Sequence, residues 1–245
     1  MAFQKQTHTY PTMVHVVENG GQVNQNPPIA TAPIEIPNNQ NQMFLVTMNI
    51  INSLTHMFLG SVVISALIYA NFASGKFTQH IYLCVFGYVI LMAQAILTFN
   101  PHNGWSSNLQ YPVKRKIHSL MQIAGSLLAI CGCSIQISNV WLHWRSTHAI
   151  FGMIAFFLTL ISLLGGVYHL IYPTHMKGSL KKMHAVAGCL TITAAFLALA
   201  FGFHHMRRMI VFGDTNTNLF IATTILALAG TLAMACSRVL FRGRV

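Results

Sequence analysis

The chain has 245 residues, of which 54% are hydrophobic and only 7% charged, with a mean hydropathy of +0.55. A soluble domain of this size needs far more charge to cover its surface, so the composition excludes one and reads as an integral membrane protein. Lys and Arg number 14 against three acids, Glu18, Glu35 and Asp214, for a net charge of +11, which puts a basic surface outside the apolar spans, facing anionic lipid headgroups as its simplest partner.

Residues 1–42 form a polar arm rich in Asn, Gln, Pro and Gly, with the run Asn24-Gln-Asn-Pro-Pro28. Too few apolar side chains are present to build a core, and the arm is expected to be disordered. It lacks the charged, apolar and small-residue regions of a cleavable signal, so the first transmembrane segment is expected to target the chain.

A bilayer core takes about 20 apolar residues per helix, and six such runs follow, at 43–72, 78–99, 117–140, 148–171, 184–203 and 217–240. Breakers separate them: Ser74-Gly75, Pro101 to Gly104, Pro112, Pro173, Gly178 and Gly213. The predicted fold is therefore all-α, a six-helix transmembrane bundle over residues 43–240, with 241–245 as a short basic tail. Short connections imply antiparallel neighbours. With both termini cytoplasmic, the inner segments hold Lys5, Lys114, Arg115, Lys116, Lys177, Lys181, Lys182, Arg238, Arg242 and Arg244, and the outer ones only Lys76, Arg145, Arg207 and Arg208. That bias favours this orientation.

All five cysteines, Cys84, Cys131, Cys133, Cys189 and Cys236, lie inside apolar runs, so no disulfide is expected. The spacing and setting of Cys131-Gly-Cys133 suit helix packing rather than a zinc site. Glu18 and Glu35 fall in the arm and Asp214 in the loop before the last helix, which disfavours a proton pump built on buried acids. No phosphate loop, dinucleotide fingerprint or nucleophile elbow is present, and no nucleic-acid partner is expected.

Histidine is abundant, at 13 residues, and four histidines share a context. His80, His118, His148 and His184 each open a predicted helix shortly after a basic residue, as in Lys76-Phe-Thr-Gln-His80, Lys114-Arg-Lys-Ile-His118, Arg145-Ser-Thr-His148 and Lys181-Lys-Met-His184. Each also has a glycine on its own helix face: Gly87, Gly125, Gly152 and Gly188 in turn. A flat macrocycle ligated by histidine needs a small residue beside it; close helix packing is the other use of such glycines. A lone intramembrane histidine is commonly a packed residue, but four in register point to ligands.

Helices two and four begin on the outer side and three and five on the inner, so His80 can meet only His148, and His118 only His184. Opposed neutral imidazoles make an axial pair for a b-type haem and leave no open position for oxygen chemistry. The expectation is two haem b per chain, held by the central four helices, and a role in electron transfer. His56 is read as a packing or haem-edge residue. His169, His175, His204 and His205 read as interfacial, and His102 and His143 as loop-edge residues.

Four histidines on four consecutive central helices within six spans resemble the cytochrome b561 family, over roughly residues 43–240. The segments His80 to Phe99, Lys116-Ile-His118, His148-Ala-Ile-Phe-Gly152 and His184-Ala-Val-Ala-Gly188 carry the resemblance. The chain looks most similar to the short cytochrome b561 domain-containing proteins, transmembrane ascorbate-dependent reductases without extra domains. The resemblance implies a homodimer in which cytoplasmic ascorbate reduces the inner haem and the outer haem delivers the electron to ferric iron or monodehydroascorbate. By motif, all four histidines carry over as axial ligands, and the basic residue two positions before the helix-three histidine falls on Lys116.

The family's arginine-bearing motif after helix two is replaced here by Leu97-Thr-Phe-Asn-Pro-His102, and its outer Ser-Leu-His-Ser-Trp by Ser146-Thr-His148-Ala-Ile150. Lys116 and Lys182 lie closest to the inner ligands and are candidates to hold ascorbate, within a cationic rim that topology alone also requires. Lys76 and Arg145 are their outer counterparts, for haem propionates or a substrate.

Two other function classes compete. A metal-ion or small-solute transporter would place polar residues near mid-membrane on facing helices, whereas these histidines cluster at two levels near the two faces. A structural subunit would not explain the shared spacing of histidine and glycine.

Overall fold

The computed structural model describes residues 39–139, 145–172, 178–207 and 213–240; the arm before them, the tail 241–245, His143, His175, Lys177 and Arg208 lie outside these ranges. Of the two units into which the chain divides, Asn38–Val245 contains all of the described residues. Six helices there are long and apolar enough to cross a membrane: α1 Asn39–Asn71, α2 Gly75–Leu97, α3 Tyr111–Asn139, α4 Thr147–Ile171, α5 Gly178–Met206 and α6 Gly213–Leu240. No strand occurs among the described residues.

Several helices begin earlier than their hydropathy does. His118 and His184 stand well inside α3 and α5 rather than at their starts, because Lys and Arg are good helix formers and the basic residues before each histidine extend the helix beyond its apolar stretch. Asp214 is likewise helical, in the first turn of α6 and paired with Arg207, which corrects its expected place in a loop. An acid in a first turn is favoured by the helix dipole.

Sequence neighbours pack as spatial neighbours, and α6 closes the ring against α1. The surface is apolar, with Leu120, Ile161 and Leu164 more than 60% exposed, as a lipid-facing surface must be. Polar side chains lie inside instead: Ser65, Thr159, Thr191 and Thr231 are buried, and each donates its hydroxyl to the carbonyl four residues earlier or within the same turn. Their polar groups are thereby satisfied within one helix.

Without a hydrophobic drive between helices in lipid, close van der Waals contact decides the packing. A Cβ on Gly87 would lie 2.7 Å from the Gly125 carbonyl, and one on Gly125 would lie 2.9 Å from the Gly87 carbonyl. These two glycines therefore press α2 against α3 backbone to backbone. Gly230 plays a similar part for α6, where a side chain would collide with Thr55 of α1.

α2 is not a uniform α-helix. Val85–Met92 forms a π-helical stretch, a geometry rare enough to mark functional segments. It turns Gly87 to α3 while burying Tyr88, whose hydroxyl meets Thr159 Oγ1 of α4 at 2.9 Å.

Residues 98–110, a chain of turns between α2 and α3, send four polar side chains inward while Pro101, Gly104, Trp105, Asn108 and Gln110 stay exposed. Thr98, Asn100, Asn103 and Ser106 are all buried. Asn103 Nδ2 donates to the Leu97 carbonyl at 3.1 Å and to Ser106 Oγ at 2.8 Å, and Asn100 Nδ2 donates to Asn52 Oδ1 of α1 at 2.9 Å. His56 fills the remaining gap: its Nε2 donates to Asn103 Oδ1 and its Nδ1 accepts from Gln94 Nε2, each at 3.0 Å. His56 is thus a structural bridge, in line with the packing reading.

Candidate functional site

α2 and α4 are not among the closely packed helix pairs, nor are α3 and α5. Across the first of these gaps His80 and His148 face each other edge to face, with ring centroids 6.1 Å apart. Nδ1 of His80 lies 2.9 Å from the Gly132 carbonyl of α3, and Nδ1 of His148 lies 2.7 Å from the Ala198 carbonyl of α5. Each ring is thereby oriented from a neighbouring helix, and Nε2 is left as its available nitrogen.

The space at this pair is a cavity of about 860 Å³ including its open mouth, lined among others by Tyr69, Phe77, Gly152, Ala195 and Gly202. A metal–imidazole bond of about 2 Å on each side, with roughly 1 Å from nitrogen to ring centre, puts two axial rings roughly 6 Å apart around one ion. The observed spacing, the oriented nitrogens and the apolar walls fit a haem held between His80 and His148.

At the other end of the bundle His118 Nδ1 lies 2.8 Å from the Ala95 carbonyl of α2, and the Phe99 ring packs 4.9 Å from its own. His184 is within electrostatic range of His118. Its Nδ1, unlike the other three, is buried without a hydrogen-bond partner. The Nδ1 of His169, near the end of α4, is orphaned in the same way and has Arg115, Lys181 and His184 around it.

The glycines divide into two kinds. Gly87 and Gly125 are consumed by the α2–α3 contact, so the reading that they clear room for a macrocycle gives way to the packing alternative. A Cβ on Gly152 or Gly188 would meet nothing within 4 Å, which leaves open space beside them. Two further glycines escape a reading by same-helix spacing because they serve histidines of other helices. A Cβ on Gly202 of α5 would come within 3.1 Å of His148 Nδ1, and one on Gly166 of α4 within 3.3 Å of His184 Cε1.

Lys116, Lys181 and Lys182 are exposed at the His118 end, and Lys76 and Arg145 are exposed at the His80 end. Lys114, counted with the inner rim from sequence, is instead buried, with Nζ 3.3 Å from the Ser107 carbonyl; it closes the 98–110 segment onto α3. His205, read from sequence as interfacial, is exposed, lines the cavity at the His80–His148 pair and lies within electrostatic range of His148. In the 98–110 segment, burial holds the His102 imidazole below its ordinary pKa.

A family model described as eukaryotic cytochrome b561 matches residues 79–209, a stretch that contains all four histidines and both gaps. No curated protein matches the chain.

Proposed function

Given that this chain belongs to the eukaryotic cytochrome b561 family, transmembrane oxidoreductases that move electrons by way of b-type haem, we propose that it carries electrons from cytoplasmic ascorbate to ferric iron or monodehydroascorbate on the opposite side. Two haem b per chain would supply reversible one-electron chemistry, one held by His80 and His148 and the other by His118 and His184. The observation that carries this reading is the 6.1 Å approach of the His80 and His148 rings, each with its Nδ1 fixed on a backbone carbonyl.

The chain's own groups divide the remaining work. Carbonyls of Gly132, Ala198 and Ala95 fix the tautomer and orientation of three ligands, and the loss of such an outer partner typically costs about 10–100-fold in metal affinity. The aliphatic and aromatic walls exclude water. Lys116 and Lys182 present positive charge at the inner end, where a monoanionic reductant would dock, and Lys76 and Arg145 do so at the outer end for propionates or an anionic acceptor. With both ligand sites closed to a third partner, the reaction is confined to electron transfer. The chain lies in the bilayer with both termini cytoplasmic, as the distribution of Lys and Arg favours, and pairs as a homodimer, as the family resemblance implies.

The test is the reduced-minus-oxidised visible spectrum of the full chain in mild detergent, with a pyridine haemochrome count, followed by addition of ascorbate to the oxidised protein. Two b haems per chain are expected, with His148→Ala and His118→Ala each losing one. A chain without haem would overturn the reading, and two haems that ascorbate leaves oxidised would overturn the donor.

A further inference from the structure

One contact in the α3-facing wall of the outer cavity is not used by the ligand assignment. Cys84 stands one turn after His80 on α2, the i, i+4 spacing that brings side chains together, and its Sγ lies 3.5 Å from His80 Nδ1. The Gly132 carbonyl lies 2.9 Å from the same nitrogen. An imidazole that binds metal through Nε2 carries its proton on Nδ1, so a carbonyl of α3 and a sulfur of α2 share one proton. The thiol can in turn offer its own hydrogen to the Ala129 carbonyl at 4.0 Å or to Cys133 Sγ at 3.7 Å.

Gly132 is what seats the sulfur there. A Cβ at this position would lie 2.9 Å from Cys84 Sγ, closer than real contacts allow, and a tight 3.1 Å from the Cys84 backbone nitrogen. Among the described residues, none of the other three ligand histidines has a sulfur partner: Nδ1 of His118 and of His148 each has a carbonyl, and Nδ1 of His184 is without one. The arrangement therefore distinguishes one ligand of the four.

We propose that Cys84 is a positioning residue for His80 that helps set the reduction potential of the outer haem, an inference that rests on the His80–His148 ligand assignment above. An acceptor at the far nitrogen makes an imidazole a stronger donor to its metal, which favours the ferric state. Hydrogen bonding behind an axial ligand is one of the levers by which a protein tunes haem iron. Losing the sulfur weakens that donation, so the outer potential rises.

The experiment is a redox titration of the full chain in detergent, followed in the visible band and by the low-spin ferric EPR signal, for the wild type, Cys84→Ala, Cys84→Ser and Cys131→Ala. The His148→Ala variant identifies which signal belongs to the outer haem. In Cys84→Ala the reduced-to-oxidised ratio of that haem at a fixed applied potential should rise at least threefold, about 30 mV at 59 mV per decade for one electron. Cys84→Ser, whose hydroxyl still accepts, should return most of the shift, and Cys131→Ala, whose side chain is exposed on the outside of α3, should produce none. Two bound haems with an unmoved outer potential in Cys84→Ala would overturn the proposal. Absence of the outer haem from the wild type would overturn the ligand assignment instead, so the two failures are distinguishable.

Discussion

His148 and Gly202 sit on different helices, α4 and α5, yet the ring of one occupies the space that a side chain on the other would need. A Cβ on Gly202 would fall 3.1 Å from His148 Nδ1 and 3.3 Å from Cε1, while Nδ1 is held 2.7 Å from the Ala198 carbonyl one turn earlier on the same helix. α5 thus supplies both the anchor and the clearance for the His148 ring of α4.

Gly202→Ala should accordingly displace the His148 ring and stretch its bond to Ala198. Loss of an outer partner typically costs about 10–100-fold in metal affinity, so the outer haem should be depleted by at least tenfold on dilution into haem-scavenging apoprotein. The inner haem should stay. Equal loss of both would mean that the substitution acts on the whole bundle and that the ring clearance is not its cause.

The Gly87–Gly125 contact makes a contrasting prediction. Here a Cβ on Gly125 meets the Gly87 carbonyl at 2.9 Å as well as Met92 Cγ at 2.8 Å, so turning the Met92 side chain does not relieve the clash, and Gly125→Ala should force α2 and α3 apart. Overpacking of this kind costs about 1–3 kcal/mol. A lower midpoint of thermal unfolding in detergent is expected, with both haem signals declining together as the bundle opens, which separates it from the one-sided effect at Gly202.

How much of this was legible in the sequence depends on whether the cue lies on one helix or between two. The spans and the four histidines are written in a single strand of text, as apolar runs and as recurring basic-to-histidine spacings, and so were the candidate glycines on the same helices. Gly166 and Gly202 were not, because each serves a histidine on another helix and only the packing reveals the pairing. The two glycines that were legible by spacing but are used differently, Gly87 and Gly125, show the limit of the cue: the same small residue admits a cofactor or a neighbouring backbone. The π-helical stretch of α2 has no marker in Val85–Met92, whose apolar run reads equally as ordinary α-helix. Hydropathy also hid the 98–110 segment, whose buried Asn side chains look like part of a solvated loop until their partners on α1 are known.

Tyr88→Phe should have a small effect. The substitution removes the 2.9 Å bond to Thr159 Oγ1, but Thr159 still donates to the Ala155 carbonyl at 2.7 Å, so no buried donor is orphaned. Interhelical hydrogen bonds in membranes average about 0.6 kcal/mol, and a destabilisation of that order is expected in reversible denaturation from mixed micelles. A loss of several kcal/mol would show that Tyr88 holds α2 to α4 by more than this bond.

Asn103→Ala should be far more damaging, although the residue lies in a turn. Its side chain accepts from His56 Nε2 at 3.0 Å and donates to the Leu97 carbonyl and to Ser106 Oγ at 3.1 and 2.8 Å, and Asn103 is fully buried. The Leu97 carbonyl keeps the Asn100 N–H at 2.8 Å, but His56 Nε2 loses its acceptor, and a buried group left without a partner costs about 1–3 kcal/mol, which puts the expected loss above that of Tyr88→Phe. The segment also carries Phe99 against the His118 ring and follows directly on Ala95, whose carbonyl orients that ring. The inner haem signal should therefore broaden or disappear at temperatures where the outer one survives. If both haems persist unchanged and the unfolding midpoint does not move, the 98–110 segment is dispensable to the inner site, and His118 must be oriented by α2 and α3 alone.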